Sequence, residues 1–221
     1  IYAILKNSSI VGKNIYRNLE TLNVLKKIYD NNQETLDNIV KNKKKIANNA
    51  DEIFSSKDID SIVIASPADT HKNYIIKSLL NDKNVFVEKP FCLSLKDALE
   101  IKKLSLKVNK IVFVGHLLHY HNGFNELKNN IKSGKIGNLQ IIKANRLNFG
   151  AIRKKESVLF DLASHDISMI LSITEAIPKK VEVNAIFKNS MTLPDYINVI
   201  LYFEKDLVAI MTSDWVSPYK E

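Results

Sequence analysis

An α/β fold is expected, in which a parallel sheet with helices on both faces precedes an α+β domain with a mainly antiparallel open sheet. Three observations predict it. Short apolar runs alternate with amphipathic stretches from Ile1 to Val114. Strand-like runs then follow one another without an intervening helix from Val181 to Trp215. Between them, Gly115-His116 marks a change of rhythm, so the expected domains are 1–115 and 116–221. Alternating strands and helices favour parallel pairing, whereas adjacent strands favour antiparallel pairing.

The elements can be read in order. Ile1 to Leu5 is a continuous apolar run, the mark of a strand buried on both faces. A polar turn follows, then Gly12 opens an amphipathic helix with Ile15, Leu19 and Leu22 on one side. Val24 to Tyr29 reads as a strand ending at Asp30. Glu34 to Val40 is helical, Ile46-Ala47 a brief strand, and Asp51 to Phe54 a short helix. Ser61 to Ala65 is a buried strand; a helix follows that Asp69 or Thr70 can cap. Asn84 to Val87 is a strand, Ser94 to Val108 a helix, and Lys110 to Val114 the last strand of the first domain. In the second, Phe124–Ile131 and Leu159–Ile173 carry helical spacing, and Leu139–Phe149 reads as a strand. Val181–Phe187, Ile197–Phe203 and Leu207–Trp215 read as further strands, with a hairpin turn at Glu204-Lys205-Asp206.

Composition narrows the function. The chain has 221 residues, 45% hydrophobic and 25% charged, which is ordinary globular composition. Ile1 opens in mid-strand and Glu221 closes without an evident terminus, so the chain reads as a piece of a longer one. No apolar run reaches the ~18 residues of a membrane span, and a cytoplasmic location is expected. The single cysteine, Cys92, suits a reducing compartment and reads as a small buried hydrophobe. The net charge of +8 is carried by lysine, with arginine only at 17, 146 and 153. The run Lys41–Lys45 lacks aromatic neighbours and reads as a solvated face, so neither nucleic acid nor membrane is an expected partner.

Two constellations carry chemistry. Strand, turn, helix, strand, acid is the order of a dinucleotide-binding unit, and Asp30 falls where a carboxylate would meet ribose hydroxyls. The glycine fingerprint is degraded: Asn7 and Ser9 stand where two glycines belong, and a plain βαβ turn without nucleotide stays open on these residues. The second is Glu88-Lys89-Pro90, where a proline stops a strand and presents a lysine and a carboxylate at its carboxyl end. A solvated Lys–Glu pair is the alternative there. His71 reads either as a helix-surface residue or as a group above the strand ends. Asp161 and His165, four apart, share a helix face, either as a surface pair or as a site. His116, His119 and His121 lack metal-ligand spacing, and no metal is expected.

These residues resemble the glucose–fructose oxidoreductase / inositol dehydrogenase (Gfo/Idh/MocA) family. The motifs are Pro67-Ala68-Asp69-Thr70-His71, Glu88-Lys89-Pro90, Asp161-Leu162-Ala163-Ser164-His165, and Gly12-Lys13-Asn14 with Arg17-Asn18. Gly115 to His121 and Arg146 to Arg153 are similar to members that act as UDP-N-acetylglucosamine 3-dehydrogenases. The resemblance implies a Rossmann-type first domain and a second domain for substrate and oligomerisation. It implies an NAD(P)-dependent oxidoreductase that oxidises a sugar hydroxyl, with NAD favoured because Asp30 would repel a 2′-phosphate. Lys89, His165 and Asp161 would be catalytic. Asn7, Ser9, Ile10, Gly12, Asp30, Ser66, Pro67, His71, Glu88 and Lys89 would hold the cofactor. His116, Tyr120, Arg146, Asn148 and Arg153 would join Lys89, Asp161 and His165 around a sugar or nucleotide sugar. A homo-oligomer through the second-domain sheet is implied. A non-catalytic sugar-sensing homologue, or a dehydrogenase of inositol or a free aldose, are the alternatives.

Overall fold

The computed structural model describes residues 2–5, 10–150 and 156–221. Asn7, Ser9 and Arg153 lie outside them. The chain forms two compact units, Ile1–Gly115 and His116–Glu221.

The first unit is a five-stranded parallel sheet. Its strands are β1 (Tyr2–Leu5), β2 (Leu25–Tyr29), β3 (Ser61–Ile64), β4 (Asn84–Val87) and β5 (Val112–Val114). They lie in the order β2-β1-β3-β4-β5. The chain leaves β1 for β2 on one side and later enters β3 on the other, so the order reverses between β1 and β3. In open α/β sheets that reversal opens a crevice at the carboxyl ends of the strands. The helices are α1 (Ile10–Thr21), α2 (Gln33–Ile39), α3 (Ala50–Ser55), α4 (Ala68–Leu80) and α5 (Leu95–Val108).

The two-sided burial read from the apolar runs is visible in β3. Ile62 and Ile64 pack with Ile53, Phe54, Ile75, Leu79, Val85, Val87 and Ile101 in one core, while Val63 joins Tyr16, Leu25, Ile28 and Leu36 in a second. Each such side chain contributes about 1.5–3 kcal/mol by leaving water. Both faces of the sheet are therefore needed, which is the rule for parallel sheets.

Several local expectations are corrected. Ile46-Ala47 is not a strand: Ile46 makes one isolated parallel bridge to Ile28. Lys43–Lys45 form a 3₁₀ turn capped by Asn42. The N-cap of α4 is Pro67, with no side-chain cap from Asp69 or Thr70. Thr70 instead donates to the Pro67 carbonyl at 2.7 Å, and its Oγ1 lies 2.6 Å from Ser66 Oγ. That hydroxyl has one proton, so Ser66 is the donor in the second bond. Cys92 is half-buried, and its thiol lies 3.3 Å from the Ser94 carbonyl.

The second unit holds α6 (Asn122–Lys132), β6 (Ile141–Leu147), a π-turn (Leu159–Ala163), α7 (Ser164–Thr174), β7 (Lys180–Ile186), β8 (Tyr196–Tyr202) and β9 (Val208–Asp214). The sheet order is β6-β9-β8-β7. β7, β8 and β9 pair antiparallel, and β6 adds to β9 in parallel. Lys205 and Asp206 both take left-handed backbone, at φ 55° and 59°, which lets the β8–β9 connection follow the strand twist. Ile197, Val199, Leu201, Ala209 and Met211 form a core with Ile170 and Ala163. The alternate residues Asn198, Ile200, Tyr202, Ile210 and Thr212 are half-buried.

Candidate active site

In the first unit, the residues expected to act gather at the carboxyl edge of the sheet. Val87 is fully buried, and the ladder continues one step past it: Glu88 N–H donates to the Ile64 carbonyl at 2.9 Å, and Gly115 N–H to the Val87 carbonyl at 2.8 Å. Beyond that step the backbone turns at a cis Lys89–Pro90 bond. Glu88 and Lys89 are half-buried. Burial pushes the Glu88 carboxyl above its ordinary value, against the opposing pull of the Lys89 N–H and ammonium.

His71 is not a helix-surface residue. It is 1% exposed. Its Nδ1 lies 2.8 Å from the Pro90 carbonyl and its Nε2 2.8 Å from the Ser66 carbonyl. Carbonyl oxygens only accept; a neutral imidazole donates to one of them and an imidazolium to both. The ring thus joins the turn after β3 to the turn that carries Lys89. The sequence pattern could not show this, because Pro90 and Ser66 meet only through the sheet.

Gly115 supports the same turn. A Cβ there would lie 3.1 Å from Glu88 Oε1 and 3.1 Å from Phe86 Cζ. The carboxylate therefore rests against bare backbone. Gly115→Val is expected to displace Glu88 and to cost about 1–3 kcal/mol by overpacking, measured by urea denaturation.

A nicotinamide dinucleotide fits this edge by the chemistry of its donors. α1 starts at Ile10 and has no acidic residue in its first turn to repel a pyrophosphate. Gly12, buried, lies in that turn. Asp30, 3% exposed, stands at the end of β2 and accepts Asn32 N–H at 2.9 Å through Oδ1. A buried carboxylate in that place is an acceptor for ribose hydroxyls. Ser66 is buried and Pro67 exposed at the end of β3.

In the second unit, Asp161 sits in the π-turn that precedes α7 and is 8% exposed, while His165 is half-buried in the first turn of α7. A single helix was expected across both. The π-turn widens the ladder between them, and such turns recur at functional sites. Arg146, expected at the substrate, meets a carboxylate of its own unit. Nε donates to Asp166 Oδ2 at 2.9 Å and Nη2 to Oδ1 at 2.7 Å. Two of the five guanidinium N–H groups are thus directed at a buried carboxylate. Asp166 follows His165 in a segment, His165-Asp166-Ile167-Ser168, that also resembles the family, but it was not an expected site residue, since no spacing rule joins a strand arginine to an acid 20 residues on.

The rings of His116 and His119 lie 5.9 Å apart, centroid to centroid, and tilted. His121 caps α6 by accepting Gly123 N–H. His119 lies 3.2 Å from Ser168 Oγ, and burial lowers its pKa, with a smaller contribution from Lys128. His116 is half-buried and Tyr120 is 66% exposed in the turn before α6. Asn148 is exposed after β6. Among the described residues, no three His, Cys, Asp or Glu side chains are grouped to hold a metal.

Comparison with known proteins agrees with this architecture. Residues 10–116 match the model of an oxidoreductase family with an NAD-binding Rossmann fold, and residues 124–221 match the GFO/IDH/MocA C-terminal domain. Together the two matches span both units of this α/β chain. The chain belongs to the Gfo/Idh/MocA family. It is 35% identical over 89 residues to 2,7-anhydro-N-acetylneuraminate hydratase of Escherichia coli, a stretch that is 40% of this chain and 24% of that protein. It is 27% identical over 209 residues to glucose-6-phosphate 3-dehydrogenase of Bacillus subtilis, 84% of this chain and 59% of that one. The chain thus spans less than two thirds of either curated relative. The solved UDP-N-acetylglucosamine 3-dehydrogenase of Acidithiobacillus ferrooxidans shares the fold, with a TM-score of 0.86 at 18% identity over 99% of this chain and 70% of that one.

Proposed function

We propose that this chain is the cofactor-binding and catalytic part of an NAD-dependent sugar dehydrogenase that oxidises a ring hydroxyl, the 3-hydroxyl of a nucleotide-linked N-acetylhexosamine. The observation that carries the reading is the place of Lys89. It stands on a turn at the carboxyl edge of the sheet, and two neighbouring elements hold that turn, His71 of α4 and Gly115 after β5. Two 3-dehydrogenases among the similar proteins favour the 3-position.

Bound at this edge, the nicotinamide supplies the hydride acceptor. The chain's own residues handle the single proton that the hydroxyl releases: one of the pair Lys89 and His165, in its neutral form, takes it as the base, and Asp161 orients the sugar by accepting a neighbouring hydroxyl. Asp30 selects NAD, because an acid accepts from a 2′-hydroxyl and repels a 2′-phosphate. Asp30→Asn is expected to weaken NAD binding by about 1.5–3 kcal/mol and to improve binding of NADP, as measured by fluorescence titration. The half-buried face of the second-unit sheet serves as the surface for a homo-oligomer, and the protein works in the cytoplasm.

A panel of UDP-N-acetylhexosamines, free aldoses, hexose phosphates and inositols, assayed with NAD and the full-length protein, tests the reading. Turnover of a nucleotide sugar supports it; turnover of inositol alone moves the substrate to a polyol. A second reading rests on the hydratase, which shares 35% identity over its matched stretch. In it the net outcome is transfer of water, and reduced cofactor does not accumulate while the sugar is consumed.

A further inference from the structure

α7 begins without the usual local devices. Its N-cap is Ala163, which offers no side-chain hydrogen bond, and a π-turn runs directly into it. Ala163 is itself helical, at φ −67° and ψ −23°, and Ser164 N–H donates to the Leu159 carbonyl, so the helix runs on from the π-turn and needs no capping side chain. Two tertiary contacts hold it close to His165, at Asp166 and at Ser168. Asp166, 5% exposed, is gripped at both oxygens by Arg146 of β6. Ser168 donates to the His165 carbonyl at 2.8 Å and lies 3.2 Å from His119 Nε2. Since the Ser168 proton goes to that carbonyl, His119 Nε2 must be the donor in the second contact.

A buried ion pair contributes little net stability, because desolvation offsets much of the attraction. What a two-point fork does fix is direction and register. We propose that Arg146 is a positioning residue: through Asp166 it sets the rotation of the first turn of α7, and with it the orientation of the His165 ring. The inference rests on the reading of His165 as a proton-handling group, and it assigns Arg146 to the protein's own helix rather than to an anionic substrate. Lysine keeps the charge but not the fork, so Arg146→Lys is not a conservative change here.

The test uses full-length protein and two readouts. The first is the ring resonance of His165 in a two-dimensional histidine NMR spectrum, assigned by its loss in His165→Gln. In Arg146→Met this resonance should shift or split, while that of His71, in the other unit, stays in place. Arg146→Lys and Asp166→Asn, milder changes that keep the volume, should each produce part of the effect. The second readout is turnover: a misplaced proton-handling group should lower kcat by about 10²-fold, with NAD affinity unchanged. An unmoved His165 resonance in all three variants would overturn the proposal. So would loss of substrate affinity at unchanged kcat, which would return Arg146 to the substrate. If the wild-type protein turns over no sugar, the functional reading fails, and the resonance alone still decides whether Arg146 holds the ring.

Discussion

Replacing Lys89 by methionine is expected to lower kcat by about 10²- to 10⁴-fold, the range for loss of a general acid–base group. Methionine keeps much of the stem and removes the ammonium, so the half-buried space beside Glu88 stays filled. NAD affinity should fall far less than kcat, because Lys89 is one cofactor contact among several while Asp30 and the start of α1 are untouched. Steady-state kinetics with the full-length protein, paired with an NAD titration, separates the two effects. A loss confined to KM would make Lys89 a binding residue. A sugar sensor built on the same fold would have no turnover to lose and should keep its ligand.

The second large effect is expected at His71. His71→Ala removes the ring that lies 2.8 Å from both the Ser66 and the Pro90 carbonyl. A neutral ring satisfies one of these buried acceptors, and leaving it unsatisfied costs about 1–3 kcal/mol in urea denaturation. That is a large part of the stability of an ordinary domain. Catalysis should suffer as well, since Lys89 then loses one of the supports of its turn. His71→Gln can reach one of the carbonyls and should recover part of the stability. A change under about 0.5 kcal/mol in His71→Ala, typical of surface substitutions, would show that the clamp does not hold the turns.

The fold was legible because its signals are local. Runs such as Ser61–Ala65 announce two-sided burial, and Ile197–Phe203 and Leu207–Trp215 are apolar runs separated only by a hairpin turn. The acid at the end of β2 and the Glu88-Lys89-Pro90 stop were readable for the same reason. What escaped depends on contacts between distant residues. The π-turn at Leu159–Ala163 hides within ordinary helical spacing. Burial of His71 and capture of Arg146 by Asp166 need the folded sheets to bring the partners together. The single Ile46 bridge shows the reverse failure, where an apolar pair looks like a strand but lacks the length to form one.

The most direct measurement supplies the full-length protein with NAD and a UDP-N-acetylhexosamine deuterated at carbon 3. Reduced cofactor is then followed by its near-ultraviolet absorbance and by mass. The expected result is one equivalent of deuterated NADH for each sugar oxidised, abolished in Lys89→Met. Binding of NAD with no transfer of label from any sugar or polyol in the panel would contradict it.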